Sequence, residues 1–141
     1  MNKDGPIIVL EDDADDREIL HEVFESLGYV NKILFFENGQ QGLDYLLSTK
    51  ERPFLILSDI NMPRLSGMEL RKKLKSDAAL QLKCIPYLFF TTALNQQMVI
   101  DAYSESAQGF FVKPTSFEET KEVISEIIRY WKKCAAPNNF N

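Results

Sequence analysis

The sequence predicts a doubly wound α/β domain, in which five parallel strands are wrapped on both faces by helices, and three observations carry that expectation. Five short apolar runs recur along the chain, at residues 7–10, 32–36, 53–58, 85–90 and 109–112. A segment with the three-and-four apolar spacing of a helix follows each of them. The runs are apolar nearly throughout rather than alternating, as burial on both faces of a sheet requires. Such alternation at short spacing implies right-handed crossovers and a (βα)5 parallel sheet. With 141 residues and 45% apolar composition, the chain is long enough for one such core. The expected boundaries are a single domain over residues 1–133 and a flexible tail over 134–141.

The first run, Ile7-Ile8-Val9-Leu10, ends abruptly in Glu11-Asp12-Asp13-Ala14-Asp15-Asp16. After these acids Ile19, Leu20, Val23, Phe24 and Leu27 share one helical face, and Gly28 stands where a helix stops. Asp13 is suited to cap this helix, with Asp15 and Asp16 in its first turn, where the macrodipole favours negative charge. Capping accounts less well for Glu11 and Asp12, which sit at the strand's end. His21, the lone histidine, lies off the apolar stripe and is expected in solvent. After the second strand, Asn38-Gly39 leads into a helix with Leu43, Leu46 and Leu47. The third strand ends in Asp59; Pro63 and Gly67 bracket a loop, and Met68, Leu70 and Leu74 mark the next helix. Residues 77–83 read as a polar connection. The fourth strand runs into Thr91-Thr92, a helix is expected from Asn95 to about Ser104, and the fifth strand closes at Lys113-Pro114. Phe117, Val123, Ile124, Ile127, Ile128 and Trp131 form the stripe of the last helix.

A formal charge of −5 argues against binding nucleic acid through its phosphates, which needs a basic face. No apolar run approaches membrane-spanning length and no secretory h-region precedes the first strand, so a cytoplasmic protein is expected. Cys84 and Cys134 lack metal-ligand or redox spacing and are expected as free thiols.

Parallel strands bring all their carboxyl ends to one edge, where open α/β sheets bind ligands. There the sequence has Glu11 and Asp12 after the first strand, Asp59 after the third, Thr91 after the fourth and Lys113 after the fifth. Taken alone, Asp59 could equally cap the turn that follows it, and Lys113 could be a surface lysine before a turn proline. With the first and third strands adjacent, Glu11, Asp12 and Asp59 converge on one crevice. Two carboxylates about 6 Å apart repel by roughly 3 kcal/mol at an effective dielectric near 20, so three together call for a cation. Oxygen-only donors select a hard divalent ion, and Mg²⁺ is the expected one.

These residues, over a stretch from about Ile7 to Trp131, resemble the receiver domain of two-component response regulators. Glu11 and Asp12 resemble its acidic pair, and Asp59 its phosphoacceptor in an Asp-x-x-Met-Pro-x-x-x-Gly run. Thr91 resembles its conserved hydroxyl, and Lys113-Pro114 its Lys-Pro. The resemblance implies a flavodoxin-like three-layer sandwich with strand order 2-1-3-4-5. It implies phosphoryl transfer from a kinase phosphohistidine to Asp59, with Mg²⁺ held by Asp12, Asp59 and the Asn61 backbone carbonyl, and with Glu11 acting mainly through a water. Lys113 would pair with Asp59 and then with a phosphoryl oxygen, aimed by a cis bond to Pro114, while the Thr91 hydroxyl would swing toward another oxygen. Such a domain catalyses its own phosphorylation and slow dephosphorylation without an independent substrate. Phe110 stands where many members have a switch tyrosine, and Glu11 is longer than the commoner aspartate.

Residues 38–46 and Thr91-Thr92 resemble the short regulators associated with phytochrome-type histidine kinases, so a kinase of that kind is the expected partner. The readout is then another protein, either a downstream effector or a histidine phosphotransfer protein to which a shuttle passes its group. The face made by the fourth helix, fifth strand and fifth helix, carrying Tyr103 and Tyr130, is expected to dock that partner or form a homodimer. Three other readings are weaker. A flavin or nucleotide binder would need phosphate-cradling glycines or hydroxyls where Glu11 and Asp12 stand, an aspartyl phosphatase would want an acid at Asn61, and an unphosphorylated interaction module of the same fold typically lacks the aspartate or the lysine.

Overall fold

The computed structural model describes residues 1–92 and 95–137. Five strands, β1 (Ile7–Leu10), β2 (Ile33–Phe36), β3 (Leu55–Ser58), β4 (Tyr87–Thr91) and β5 (Gly109–Val112), form one sheet in the order β2-β1-β3-β4-β5. All four pairings are parallel. The helices among the described residues are α1 (Ala14–Leu27), α2 (Gly39–Ser48), α3 (Gly67–Ser76), α4 (Ala78–Leu82), α5 (Gln96–Ser104) and α6 (Phe117–Lys133).

Continuous apolar strands become two cores because successive side chains leave a strand on opposite faces. Ile7, Val9, Leu55, Leu57, Leu88 and Phe90 meet Leu20, Val23 and Phe24 of α1 and Ile124, Ile127 and Ile128 of α6. Ile8, Leu10, Ile56, Tyr87 and Phe89 meet Leu43 and Leu46 of α2, Leu70 and Leu74 of α3, and Ala102 of α5. The result is the expected three-layer sandwich. β2 is the edge strand beyond β1, and its side chains are only half-buried.

Local signals set the helix ends. Asp13 caps α1 by accepting from the amides of Asp15 and Asp16, and Gly28 ends that helix with a left-handed φ of 69°. Asn38, Asn95 and Ser116 cap α2, α5 and α6 in the same way. His21 is exposed and lies 3.2 Å from Glu25.

Some expectations need correction. Residues 77–83 hold a short helix rather than a bare connection, because Asp77 caps Ala78–Leu82 and Leu80 is buried beneath it. Five residues are too few to show a helical period. Ile19 and Leu47, counted on apolar stripes, are exposed. The expected tail is pinned for part of its length, since Cys134 packs against the α1/α6 core and Ala136 is buried within it; residues 138–141 lie outside the described part. Cys84 and Cys134 are free thiols.

Candidate phosphoacceptor and metal site

The register of the sheet brings the polar residues together. Leu10 pairs with Ser58 across β1 and β3, so Glu11 and Asp12 follow one strand where Asp59 follows its neighbour. The Asp59 amide donates to the Leu10 carbonyl at 2.9 Å, extending the ladder by one residue and locking Asp59 beside the acidic pair. One oxygen each from Glu11, Asp12 and Asp59 can be chosen so that all lie within 4.8 Å of one another. Asp12 is exposed, whereas Glu11 and Asp59 are buried. The chemistry of this donor set fits a hard divalent cation: three carboxylates, no nitrogen or sulfur, and an open side at Asp12.

Each oxygen of Asp59 has a defined partner. Oδ1 accepts from the Thr91 hydroxyl at 2.7 Å and from the Ile60 amide at 2.7 Å, while Oδ2 accepts from Lys113 Nζ at 3.0 Å. The lysine also donates to Glu11 Oε2 at 2.7 Å and to Asp16 Oδ2 at 3.1 Å. Lys113 reaches this point because its own amide donates to the Thr91 carbonyl at 2.9 Å, which carries the β4/β5 pairing to the sheet's edge. The Lys113–Pro114 bond is trans, and no described peptide bond is cis, contrary to expectation. Trans is the favoured isomer even before proline, and the carboxylates supply the pull on the lysine.

Charge is shared unevenly among these groups. Burial, with a further contribution from the neighbouring Asp59 carboxylate, pushes Glu11 up to about 8 against the opposing pull of Lys113. Burial alone would raise Asp59 as well. Hydrogen bonds with Glu11 and Thr91, and the charge of Lys113, outweigh it and hold Asp59 below the usual carboxylate range. Burial disfavours the Lys113 ammonium, but Glu11 and Asp59 more than reverse that and raise it above the ordinary lysine value. Of the pair, Asp59 is held toward the ionised form and Glu11 is pushed toward the protonated one.

The loop after β3 is shaped by Gly67 and by a three-residue turn. Arg64 adopts a left-handed φ of 68° as Leu65 N donates to Pro63 O at 2.8 Å. Gly67 then packs its α-carbon against the strand end. A methyl there would overlap the Asp59 carbonyl oxygen and come within 2.8 Å of Ser58 Oγ. Asn61, two residues after Asp59, is exposed. Phe110 is half-buried and pairs in register with Phe89, their ring centroids 6.0 Å apart. Thr91 lies two residues beyond Phe89 and so on the same face of the sheet.

Glu11, Asp12, Asp59, Thr91 and Lys113 thus meet as expected. Two participants were not foreseen. Asp16 reads in sequence as a first-turn helix acid, and nothing local signals that its carboxylate turns onto Lys113. Arg17 donates to the Glu11 carbonyl at 2.8 Å, a contact between a helix side chain and a strand-end backbone that no motif marks.

Residues 7–125 match the family model for the response regulator receiver domain. A probable methanogenesis regulatory protein of Methanothrix harundinacea, FilR2, is 30% identical over 137 residues that cover 93% of this chain and 87% of FilR2. Among solved structures, the phosphorylated cyanobacterial phytochrome response regulator RcpA has a TM-score of 0.84 at 22% identity, covering 94% of this chain and 97% of that one. The response regulator RPA3017, from red light signalling of R. palustris, has a TM-score of 0.81 at 26% identity, covering 94% and 98%.

Proposed function

The chain belongs to the response regulator receiver domains, which receive phosphoryl groups in two-component signalling, and from that premise we propose that Asp59 is its phosphoacceptor. One observation carries the reading. Asp59 is the strand-end carboxylate that stays ionised, with each oxygen oriented by a hydrogen bond and an acidic pair beside it. An ionised, oriented carboxylate is what attack on phosphorus requires.

In the transfer, an oxygen of Asp59 bonds to phosphorus as the P–N bond of a kinase phosphohistidine breaks, and the electron pair leaves with the imidazole nitrogen. Lys113 turns one N–H from a carboxylate to a phosphoryl oxygen, and the Thr91 hydroxyl leaves Asp59 for another. Asp12, Asp59 and the Asn61 carbonyl, with Glu11 behind them, would hold Mg²⁺, which would supply neutralisation of the phosphoryl oxygens when bound. Hydrolysis of the acyl phosphate returns the carboxylate.

The partner is a sensor histidine kinase, and likeness to RcpA and RPA3017 supports one of phytochrome type. The message leaves by the face of α5, β5 and α6, where Ile100, Tyr103, Val112 and Tyr130 are exposed. That face docks an effector or phosphotransfer protein, or a second copy of the chain. No helix among the described residues is long and apolar enough to cross a membrane, which accords with a cytoplasmic site of action.

Incubation with a small phosphodonor and Mg²⁺ should add one phosphoryl group by intact mass to the wild type and none to Asp59→Asn. Uptake by Asp59→Asn at the wild-type rate would show that another residue is the acceptor.

A further inference from the structure

An ammonium has three N–H donors, and in Lys113 three carboxylates occupy them. Glu11 Oε2 at 2.7 Å and Asp59 Oδ2 at 3.0 Å belong to the site described above, but the third, Asp16 Oδ2 at 3.1 Å, comes from the first turn of α1. The helix macrodipole accounts for an acid at this position, as it does for Asp15. It does not account for a carboxylate turned onto a lysine that is itself 7% exposed. Asp15, one residue earlier, is exposed and makes no ion pair among the described residues.

If Lys113 is to serve a phosphoryl oxygen on Asp59, one of its three contacts must be released. Glu11 is 2% exposed and would be left as a desolvated group without its ammonium. The contact with Asp59 lies at the reacting carboxylate itself. The side chain of Asp16 is 36% exposed, so its carboxylate returns to water at the lowest cost of the three.

We propose that Asp16 is a positioning residue that holds Lys113 while Asp59 is unphosphorylated and is the partner the lysine gives up on phosphorylation. Because it competes with the phosphoryl group for one ammonium donor, it biases the protein toward the unphosphorylated state. The proposal rests on the assignment of Asp59 as phosphoacceptor.

The test uses the full chain with Mg²⁺, beryllofluoride as the phosphoryl mimic, and labelling by a small phosphodonor. Asp16→Asn should bind beryllofluoride about fivefold more tightly, the size of one partly exposed ion pair, and label faster at saturating donor. Asp16→Glu, which restores a carboxylate, should return toward the wild type. Asp15→Asn makes the same charge change in the same helical turn and should behave as the wild type does. The ammonium nitrogen resonance of Lys113 should shift in Asp16→Asn before any ligand is added, and not in Asp15→Asn. Equal beryllofluoride affinities for Asp16→Asn and Asp15→Asn, or weaker binding by the former, would overturn the proposal. Labelling that persists in Asp59→Asn overturns the acceptor assignment and this proposal with it, whereas labelling that needs Asp59 but ignores Asp16 overturns this proposal alone.

Discussion

The two buried acids at the end of the sheet, Glu11 and Asp59, do not face one another uncompensated, because the Lys113 ammonium lies within 3.1 Å of oxygens from both of them and from Asp16 of α1. Removing it leaves buried acids with no counter-charge, a change that costs more than the pair itself contributes. Lys113→Ala is expected to destabilise the metal-free protein by about 3 kcal/mol in urea titrations, and Asp59→Asn in that background to recover part of the loss. Strictly additive effects of the two substitutions would show that the charges are not coupled. Asp12 is different, since it is exposed and lies outside the lysine's contacts. Asp12→Ala should therefore leave metal-free stability within about 0.5 kcal/mol of the wild type. Mg²⁺ should raise the wild-type melting temperature and do so far less in Asp12→Ala, because an ion that binds only the folded state stabilises it. Equal Mg²⁺ shifts in the two proteins would remove Asp12 from the metal site.

At the scale of elements, the site is a product of where strands end and how closely α3 approaches them. Gly67 is the first residue of α3, and its amide donates to the Ile60 carbonyl at 2.8 Å. The carbonyl of the same residue accepts from the buried Tyr87 hydroxyl at 2.8 Å. The helix is thus clamped to β3 and β4 at a distance that leaves no room for a side chain. Gly67→Ala must push the helix from the strand end or displace the Asp59 backbone, and overpacking of this kind costs about 1–3 kcal/mol. Labelling of Asp59 should slow as well, because the carboxylate moves relative to Lys113 and Thr91. A thermal melt and labelling rate both at wild-type values would show that the loop yields without strain. The acidic run after β1 divides by element too. Asp13 is absorbed by the cap of α1, whereas Glu11 and Asp12, two residues and one residue earlier, remain with the strand end.

For the molecule as a whole, the question is how events at Asp59 reach a surface. Thr91 and Phe110 lie on one face of the sheet, on adjacent strands, with Phe89 between them in register. Drawing the Thr91 hydroxyl away from Asp59 alters the space beside Phe89, and Phe110 is the half-buried body able to follow. Tyr103 on α5 and Tyr130 on α6 are both more than half exposed. Beryllofluoride should therefore change hydrogen exchange across residues 95–113 and strengthen self-association or partner binding through this face. Unaltered exchange there, with the site demonstrably occupied, would rule out the Thr91–Phe110 route.

By itself the sequence determined the class of fold and the edge at which chemistry occurs. Continuously apolar strands admit little but a sheet covered on both faces, and parallel strands bring Glu11, Asp12, Asp59, Thr91 and Lys113 to one side of it. A short-range signal sufficed for the cap at Asp13 because its partners, the amides of Asp15 and Asp16, lie within three residues. Only tertiary structure decided how the charges divide. That Asp16, rather than Asp15, turns onto Lys113 depends on the rotation of α1 against β5 across 97 residues of sequence. That Glu11 and Asp59 shift in opposite directions depends on burial and on which oxygen the lysine, the threonine and the Ile60 amide reach. The aim of Lys113 was expected from a cis proline and instead comes from carboxylates just after β1, in the first turn of α1 and just after β3 together. Such contacts carry no period and no local motif. They arise from distances between elements far apart in the chain, which packing sets to a few tenths of an ångström.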